Sequence, residues 1–161
     1  MSVRIDFAAV APGAVTAMRG VEQYVRNSGL EPALVHLVKL RASQLNGCAY
    51  CVDMHTKDAR AAGETEQRLY AVPVWRETPF FTPRERAALA WTDAVTELAR
   101  TGVPDGAYEE VRARFSEEEL VNLTMAVVAI NGWNRLAVSF RTEPGTYRPA
   151  LRPRPAPART A

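Results

Sequence analysis

The chain has 161 residues, a length that fits one domain with a core large enough to fold without disulfide staples. Its 20 basic and 18 acidic side chains are interspersed and leave a formal net charge of +2. No strong field therefore points to nucleic acid or an anionic membrane as a partner. The longest uncharged apolar run, residues 123 to 130, is far below the roughly 20 residues that a membrane-spanning helix needs.

The first residues make a poor secretory signal. Asp6 stands ahead of the apolar stretch, and Pro12 and Gly13 interrupt it. We therefore expect the protein to be cytoplasmic. In a reducing cytosol a lone pair of cysteines is typical of catalysis or metal binding rather than of a permanent structural disulfide.

Helical periodicity accounts for nearly all of residues 12 to 142, and no stretch alternates with the period of two that marks a strand. Capping-box patterns that begin at Thr82 and Ser116 indicate two helix starts. A loop is expected at residues 75 to 82. The sequence thus predicts an all-α fold of about seven helices, at residues 15–25, 34–46, 48–63, 64–72, 82–100, 105–115 and 116–141.

Residues 143 to 161 are rich in proline and arginine and carry no sizeable apolar cluster. A segment of this composition cannot bury enough surface to fold alone, so we expect a tail that is disordered or draped over the surface. The chain divides accordingly into a helical domain at residues 1 to 142 and a Pro/Arg-rich tail at residues 143 to 161.

All the cysteines and histidines of the chain, namely His36, Cys48, Cys51 and His55, fall within one stretch of twenty residues. On a helix, positions 48, 51 and 55 lie within about 60° of one face. A thiol in the first turn of a helix meets unpaired backbone N–H groups and the positive end of the helix dipole, which favour the thiolate. Cys51 also has His55 one turn further on, so Cys51 is the better candidate for attack and Cys48 for resolution.

Zinc binding is the alternative for these four side chains, because they could supply a Cys₂His₂ set. In such sites the cysteine pair normally sits on a turn and the histidines come from a later segment. Here the pair opens a helix that itself carries His55, so the spacing favours redox chemistry over zinc or inert thiols. His36, on an otherwise apolar helix, fits a packed residue as well as a proton carrier.

The segment from Leu37 to His55 closely resembles the active-site signature of the alkylhydroperoxidase D-like, carboxymuconolactone decarboxylase superfamily. The likeness continues through residues 56 to 63, 85 to 91 and 130 to 136, and covers about residues 5 to 142. It implies a helical bundle assembled as trimers or hexamers. It also implies a hydroperoxide substrate that Cys51 attacks, with Cys48 as the resolving thiol and His55 as a proton relay. We expect no bound organic cofactor.

The resemblance further implies a dithiol electron donor, for which the superfamily suggests a lipoylated protein. The chain departs from the pattern at His36, where the superfamily usually has a glutamate twelve residues before the first cysteine. A carboxylate would stabilise protonated His55, whereas a second imidazole can orient it only while neutral. This departure keeps two alternatives open, a thiol–disulfide oxidoreductase of the same fold or a substrate quite different from a peroxide.

Overall fold

The structure, a computed structural model, describes residues 2 to 149, and within that range every regular element is helical. The prediction of an all-α fold is confirmed. The elements are α1 Phe7–Val10, α2 Pro12–Arg26, α3 Pro32–Leu45, α4 Ala49–Ala61, α5 Glu66–Ala71, a 3₁₀ helix Val72–Glu77, α6 Pro83–Thr96, α7 Leu98–Thr101, α8 Asp105–Arg112 and α9 Glu117–Phe140.

Both predicted capping boxes form at the starts of α6 and α9. The Glu85 amide donates to Thr82 Oγ1 at 3.2 Å, and the Thr82 amide donates back to the Glu85 carboxylate at 2.8 Å. Ser116 and Glu119 repeat the arrangement at 3.1 and 2.8 Å. Each pair satisfies two backbone donors that a helix start would otherwise leave unpaired, which fixes where these helices begin.

The predicted fifth helix is shorter than expected, because it ends at Thr96 and a separate turn, α7, follows. None of the residues of α7 is buried, so no packing holds that turn on the axis of α6. The expected loop at residues 75 to 82 begins inside the 3₁₀ helix, where Trp75 is buried. The short α1 was not predicted; Asp6 caps it by accepting the amides of Ala8 and Ala9, each at 3.1 Å.

Helix α3 is the centre of the bundle and packs against α4, α6 and α9. Val38 joins one hydrophobic cluster with α6, α8 and α9, while Leu37 and Leu40 join a second with α5, the 3₁₀ helix and α6. Burial on both sides fixes α3, and α3 in turn fixes the start of α4, which follows it after three residues. None of the helices within residues 2 to 149 is long and apolar enough to cross a membrane.

Residues 142 to 149, here called the C-terminal segment, lie along α4 without regular secondary structure. The Gly145 amide donates to Asp53 at 3.1 Å, and Lys57 Nζ donates to the Gly145 and Tyr147 carbonyls at 3.3 and 3.2 Å. The Tyr147 hydroxyl donates to Asp58 at 2.7 Å. The described part of the predicted tail is therefore draped over the surface, and residues 150 to 161 lie outside the described residues.

Candidate active site

The site begins at the turn between α3 and α4. Gly47 has a φ of 63°, a left-handed conformation that glycine adopts without steric cost, and it ends α3. Cys48 follows as the N-cap of α4, and its Sγ accepts the Cys51 amide at 3.3 Å. The Cys48 amide donates to the Ser43 carbonyl at 2.9 Å, which ties the cap to α3. The sequence correctly placed the cysteine pair at a helix start.

Cys48 and Cys51 are joined by a disulfide, with their Cα atoms 5.4 Å apart, within the usual range for such a bond. Each cysteine is only 1% exposed. They pack with Ala42 of α3 and with Ile130 and Ala137 of α9. Water and large molecules therefore have little direct access to either sulfur from the outer surface.

A cavity of about 980 Å³ is lined in part by Cys51. It lies among α2, α3, α4, α9 and the C-terminal segment. Cys51, His55 and His36 all line it, so the structure brings three of the four predicted site residues to one space, whereas Cys48 is not among the lining residues. Its wall also includes Glu22, Lys39, Tyr50, Met54, Asp58, Trp133 and Tyr147.

His55 is 5% exposed, one helical turn beyond Cys51, and neither of its ring nitrogens has a hydrogen-bond partner within residues 2 to 149. Burial is the main cause that lowers its pKa from 6.5 to about 3, and the charges of Lys39 and His36 add to the effect. His55 is thus a neutral imidazole at physiological pH in the disulfide form. No hydrogen bond joins it to His36, so the relay between them stays a prediction.

Burial of neutral His55 predicts a specific pH dependence of stability. Because the folded pKa lies below the unfolded value of 6.5, the unfolded chain binds the extra proton, and stability falls as pH drops below 6.5 towards 3. We expect the free energy of unfolding to fall by about 2 kcal/mol between pH 6.5 and pH 5 because of this residue. Urea titrations of the oxidised protein and of His55→Phe measure the free energy of unfolding at each pH. If it changed equally with pH in the two proteins, the prediction would be contradicted.

The sequence pattern did not indicate two parts of the cavity wall, the ion pair of Lys39 with Glu22 and the side chain of Tyr147. Lys39 lies three positions after His36, on the same face of α3, and forms an ion pair with Glu22 of α2. The spacing from His36 could have pointed to Lys39, but nothing in the sequence pointed to Glu22. Tyr147 belongs to the predicted tail, and its burial and its hydrogen bond to Asp58 raise its pKa to about 12.

The zinc alternative receives no support from the arrangement of the side chains. Among residues 2 to 149, no three histidine, cysteine, aspartate or glutamate side chains are placed so that they could hold a metal ion. His36 and His55 line the cavity, whereas Cys48 is not among its lining residues. The four predicted ligands therefore do not surround one point.

Comparisons with solved structures agree with the helical fold. A chain from Agrobacterium tumefaciens, described as a protein of unknown function and provisionally as the antioxidant defence protein AhpD, is 51% identical and superposes with a TM-score of 0.88, over 91% of this chain and 100% of that one. The debrominase Bmp8 superposes with a TM-score of 0.77 at 18% identity, over 86% and 74% of the two chains, a likeness that shows the fold alone.

Comparisons of sequence extend the likeness to curated proteins. The uncharacterised protein YdfG of Bacillus subtilis is 41% identical over 140 residues, which are 87% of this chain and 95% of YdfG. The uncharacterised YnjA of Escherichia coli is 30% identical over 117 residues, 73% of this chain and 62% of YnjA. The model of the carboxymuconolactone decarboxylase family matches residues 11 to 94, from α2 to α6. This chain belongs to the carboxymuconolactone decarboxylase family.

Proposed function

We propose that the protein is a thiol-dependent peroxidase that reduces hydroperoxides through a dithiol and disulfide cycle of Cys48 and Cys51. The observation that carries the proposal is the position of Cys51, which is paired with Cys48 and lines the cavity that also holds His55. The Agrobacterium tumefaciens relative, provisionally described as the antioxidant defence protein AhpD, supports a peroxidase-like chemistry.

The proposed cycle begins with the Cys51 thiolate, which attacks the terminal oxygen of the hydroperoxide. The O–O bond breaks, the sulfur gains the hydroxyl as a sulfenic acid, and the alkoxide leaves as an alcohol after taking up a proton. The Cys48 thiol then attacks the Cys51 sulfur, water leaves, and the disulfide forms. A dithiol donor supplies two electrons and two protons to reopen the bond and is itself oxidised to a disulfide.

In this cycle His55 takes the proton that Cys51 loses. It is neutral in the disulfide form, but after reduction a thiolate at Cys51 is an opposite charge one helical turn away, which favours the imidazolium. The imidazolium can then return a proton to the departing alkoxide. The unpartnered ring nitrogens of His55 suit this role, because a group that moves a proton needs one nitrogen open to the cavity.

Burial of the sulfurs favours a small substrate over a protein disulfide. Exchange between proteins requires the attacking sulfur to reach a partner at the surface, whereas Cys51 is 1% exposed and is approached through the cavity. The thiol–disulfide oxidoreductase therefore remains the second candidate. The donor that closes the cycle needs a slender dithiol arm, and a lipoylated protein in the cytoplasm fits that need.

The proposal is tested by the mass of the reduced protein before and after one equivalent of an organic hydroperoxide. Loss of two hydrogens, with peptide mapping that links residues 48 and 51, is the expected result, and an unchanged mass contradicts the peroxidase. Reduction of a protein disulfide without reaction with peroxide would favour the oxidoreductase. One equivalent of zinc in protein purified without chelator, with no thiol turnover, would favour the metal-binding alternative.

We also propose that the protein assembles as a homotrimer or homohexamer. Several large apolar side chains are exposed on the single chain, among them Val121 and Val128, two turns apart on α9, at 58% and 50%. Such a face is costly in water and is typically covered by another subunit. Light scattering at micromolar concentration tests this, and a monomer would contradict it.

Replacing His36 tests the departure from the superfamily pattern. His36→Glu is expected to raise the rate of Cys51 oxidation near neutral pH several-fold, because a carboxylate in the cavity stabilises protonated His55. His36→Ala is expected to lower whatever rate the natural protein has. Stopped-flow measurement of thiol loss after mixing with hydroperoxide reports both rates. Unchanged rates and pH profiles in two well-folded variants would make His36 a packing residue.

A further inference from the structure

Lys39 is a buried cation in the wall of the cavity. It is 7% exposed, and its ammonium forms an ion pair with Glu22, the only hydrogen-bond acceptor that it has within residues 2 to 149. Lysine is rarely buried to this extent unless it is paired, so the contact with Glu22 explains how the charge is tolerated. An ammonium has three N–H donors. Glu22 takes one, and the others are available to groups in the cavity.

A purely structural bridge between α2 and α3 would not require lysine. The chain contains 18 arginines and only two lysines, and, apart from Lys57 with Asp53 at about a quarter exposure or more, arginine makes its other partly buried ion pairs, such as Arg41 with Asp93 and Arg68 with Glu85. Arginine binds a carboxylate with a planar fork, whereas lysine presents a compact point charge. We therefore interpret the lysine at the cavity as a charge that acts on a group other than Glu22.

Lys39, Cys51 and His55 line the same cavity, and the charge of Lys39 contributes to the lowered pKa of His55, one turn from Cys51 on α4. The other cationic side chains that line the cavity are the two histidines and Arg19 and Arg26. His55 is neutral in the disulfide form, and both arginines are exposed, where water and salt weaken their fields. His36 is only partly buried, so Lys39 is the buried ammonium that can balance a negative charge in the cavity.

We propose that the Lys39 ammonium, held in place by Glu22, stabilises the Cys51 thiolate when the disulfide is opened. A dithiol donor gives up two electrons and two protons and becomes a disulfide. One proton stays on Cys48 as a thiol, and the other passes from Cys51 to His55 as the thiolate forms. An opposite charge that faces the same buried space favours this ionised product. Lys39 would thus act on the Cys51 thiolate itself, whereas the glutamate usual in the superfamily would act on protonated His55.

This inference rests on the proposed redox role of Cys51, but its test uses no peroxide. In a Cys48→Ser background, the rate of alkylation of Cys51 by iodoacetamide at pH 7 reports the thiolate fraction. Lys39→Met is expected to lower this rate about tenfold, which corresponds to about one pKa unit. Lys39→Arg is expected to restore it to within about threefold of the parent, because the charge returns.

The control is Arg41→Met, which breaks another partly buried ion pair of α3, with Asp93, away from the cavity. Its alkylation rate is expected to match the parent. Lys39→Gln, which is neutral but can still donate to Glu22, replaces Lys39→Met if the latter does not fold. Parent-like rates in the neutral variants would overturn the inference. So would a rate in Lys39→Arg as low as in Lys39→Met, since position 39 would then matter for packing rather than charge.

A second readout uses the intact cysteine pair. If Lys39 stabilises the reduced form, its loss makes the disulfide harder to reduce, and the equilibrium constant with a dithiol buffer is expected to change about tenfold. That change places the reduction potential about 30 mV lower in Lys39→Met. An unchanged or higher potential contradicts the inference. Because neither readout requires turnover, a protein that proves not to be a peroxidase would leave this test intact.

Discussion

Cys51→Ser is expected to abolish the reduction of hydroperoxide, with a fall in rate of at least about 10⁴-fold, to the level of the buffer. The hydroxyl of serine is a far weaker nucleophile at neutral pH than a thiolate, and no other thiol lines the cavity. Consumption of a hydroperoxide in the presence of excess dithiol measures the loss.

Cys48→Ser is the matched control for this experiment. It should still form one equivalent of sulfenic acid at Cys51, trapped by a sulfenate-selective reagent, and then stop because no resolving thiol remains. Both variants should lose turnover, but only Cys51→Ser should also lose the first chemical step, the formation of sulfenic acid. A sulfenate that appears at Cys48 in Cys51→Ser protein would reverse the two roles.

Asp93→Ala is expected to lower the free energy of unfolding by about 3 kcal/mol. The buried carboxylate of Asp93 accepts from Arg41 and Arg76, each at 2.6 Å, and from the Trp75 indole at 3.3 Å. Removing it leaves the mostly buried guanidinium of Arg41 without its carboxylate and the indole without its acceptor. Urea denaturation followed by circular dichroism measures the change.

Glu117→Ala serves as the comparison, because it removes an ion pair that is largely in water. The Glu117 side chain is 88% exposed and lies 3.4 Å from Arg112. Exposed pairs contribute little, so we expect a loss below about 1 kcal/mol. If the two variants were destabilised equally, the network around Asp93 would not be the anchor between α3, α6 and the 3₁₀ helix that its contacts indicate.

The part of the site that could be predicted is the part that is local in sequence. Cys48, Cys51 and His55 are brought to one face by the geometry of a single helix, and Gly47 marks where that helix begins. Helix starts at Thr82 and Ser116 were predictable for the same reason, since a capping box needs only four consecutive residues.

The features that could not be predicted depend on tertiary packing. The ion pair of Lys39 with Glu22 joins residues 17 positions apart, and the contact of Tyr147 with Asp58 joins residues 89 positions apart. The periodicity of apolar residues along the sequence does not indicate such contacts. The break between α6 and α7 is similar, because the helical pattern continues past Thr96 while the core that would support it does not.

The disulfide joins residues only three positions apart, and this has a consequence for the durability of the protein. Closing so small a ring removes little disorder from the unfolded chain, about 2 kcal/mol in the chain-entropy model. The fold depends instead on the packed helices around α3, and the disulfide, which lies within the start of α4, does not cross-link any two of them. Opening and closing the bond would therefore change the chemistry at one helix end while the scaffold stays folded, so the proposed redox cycle does not demand repeated refolding.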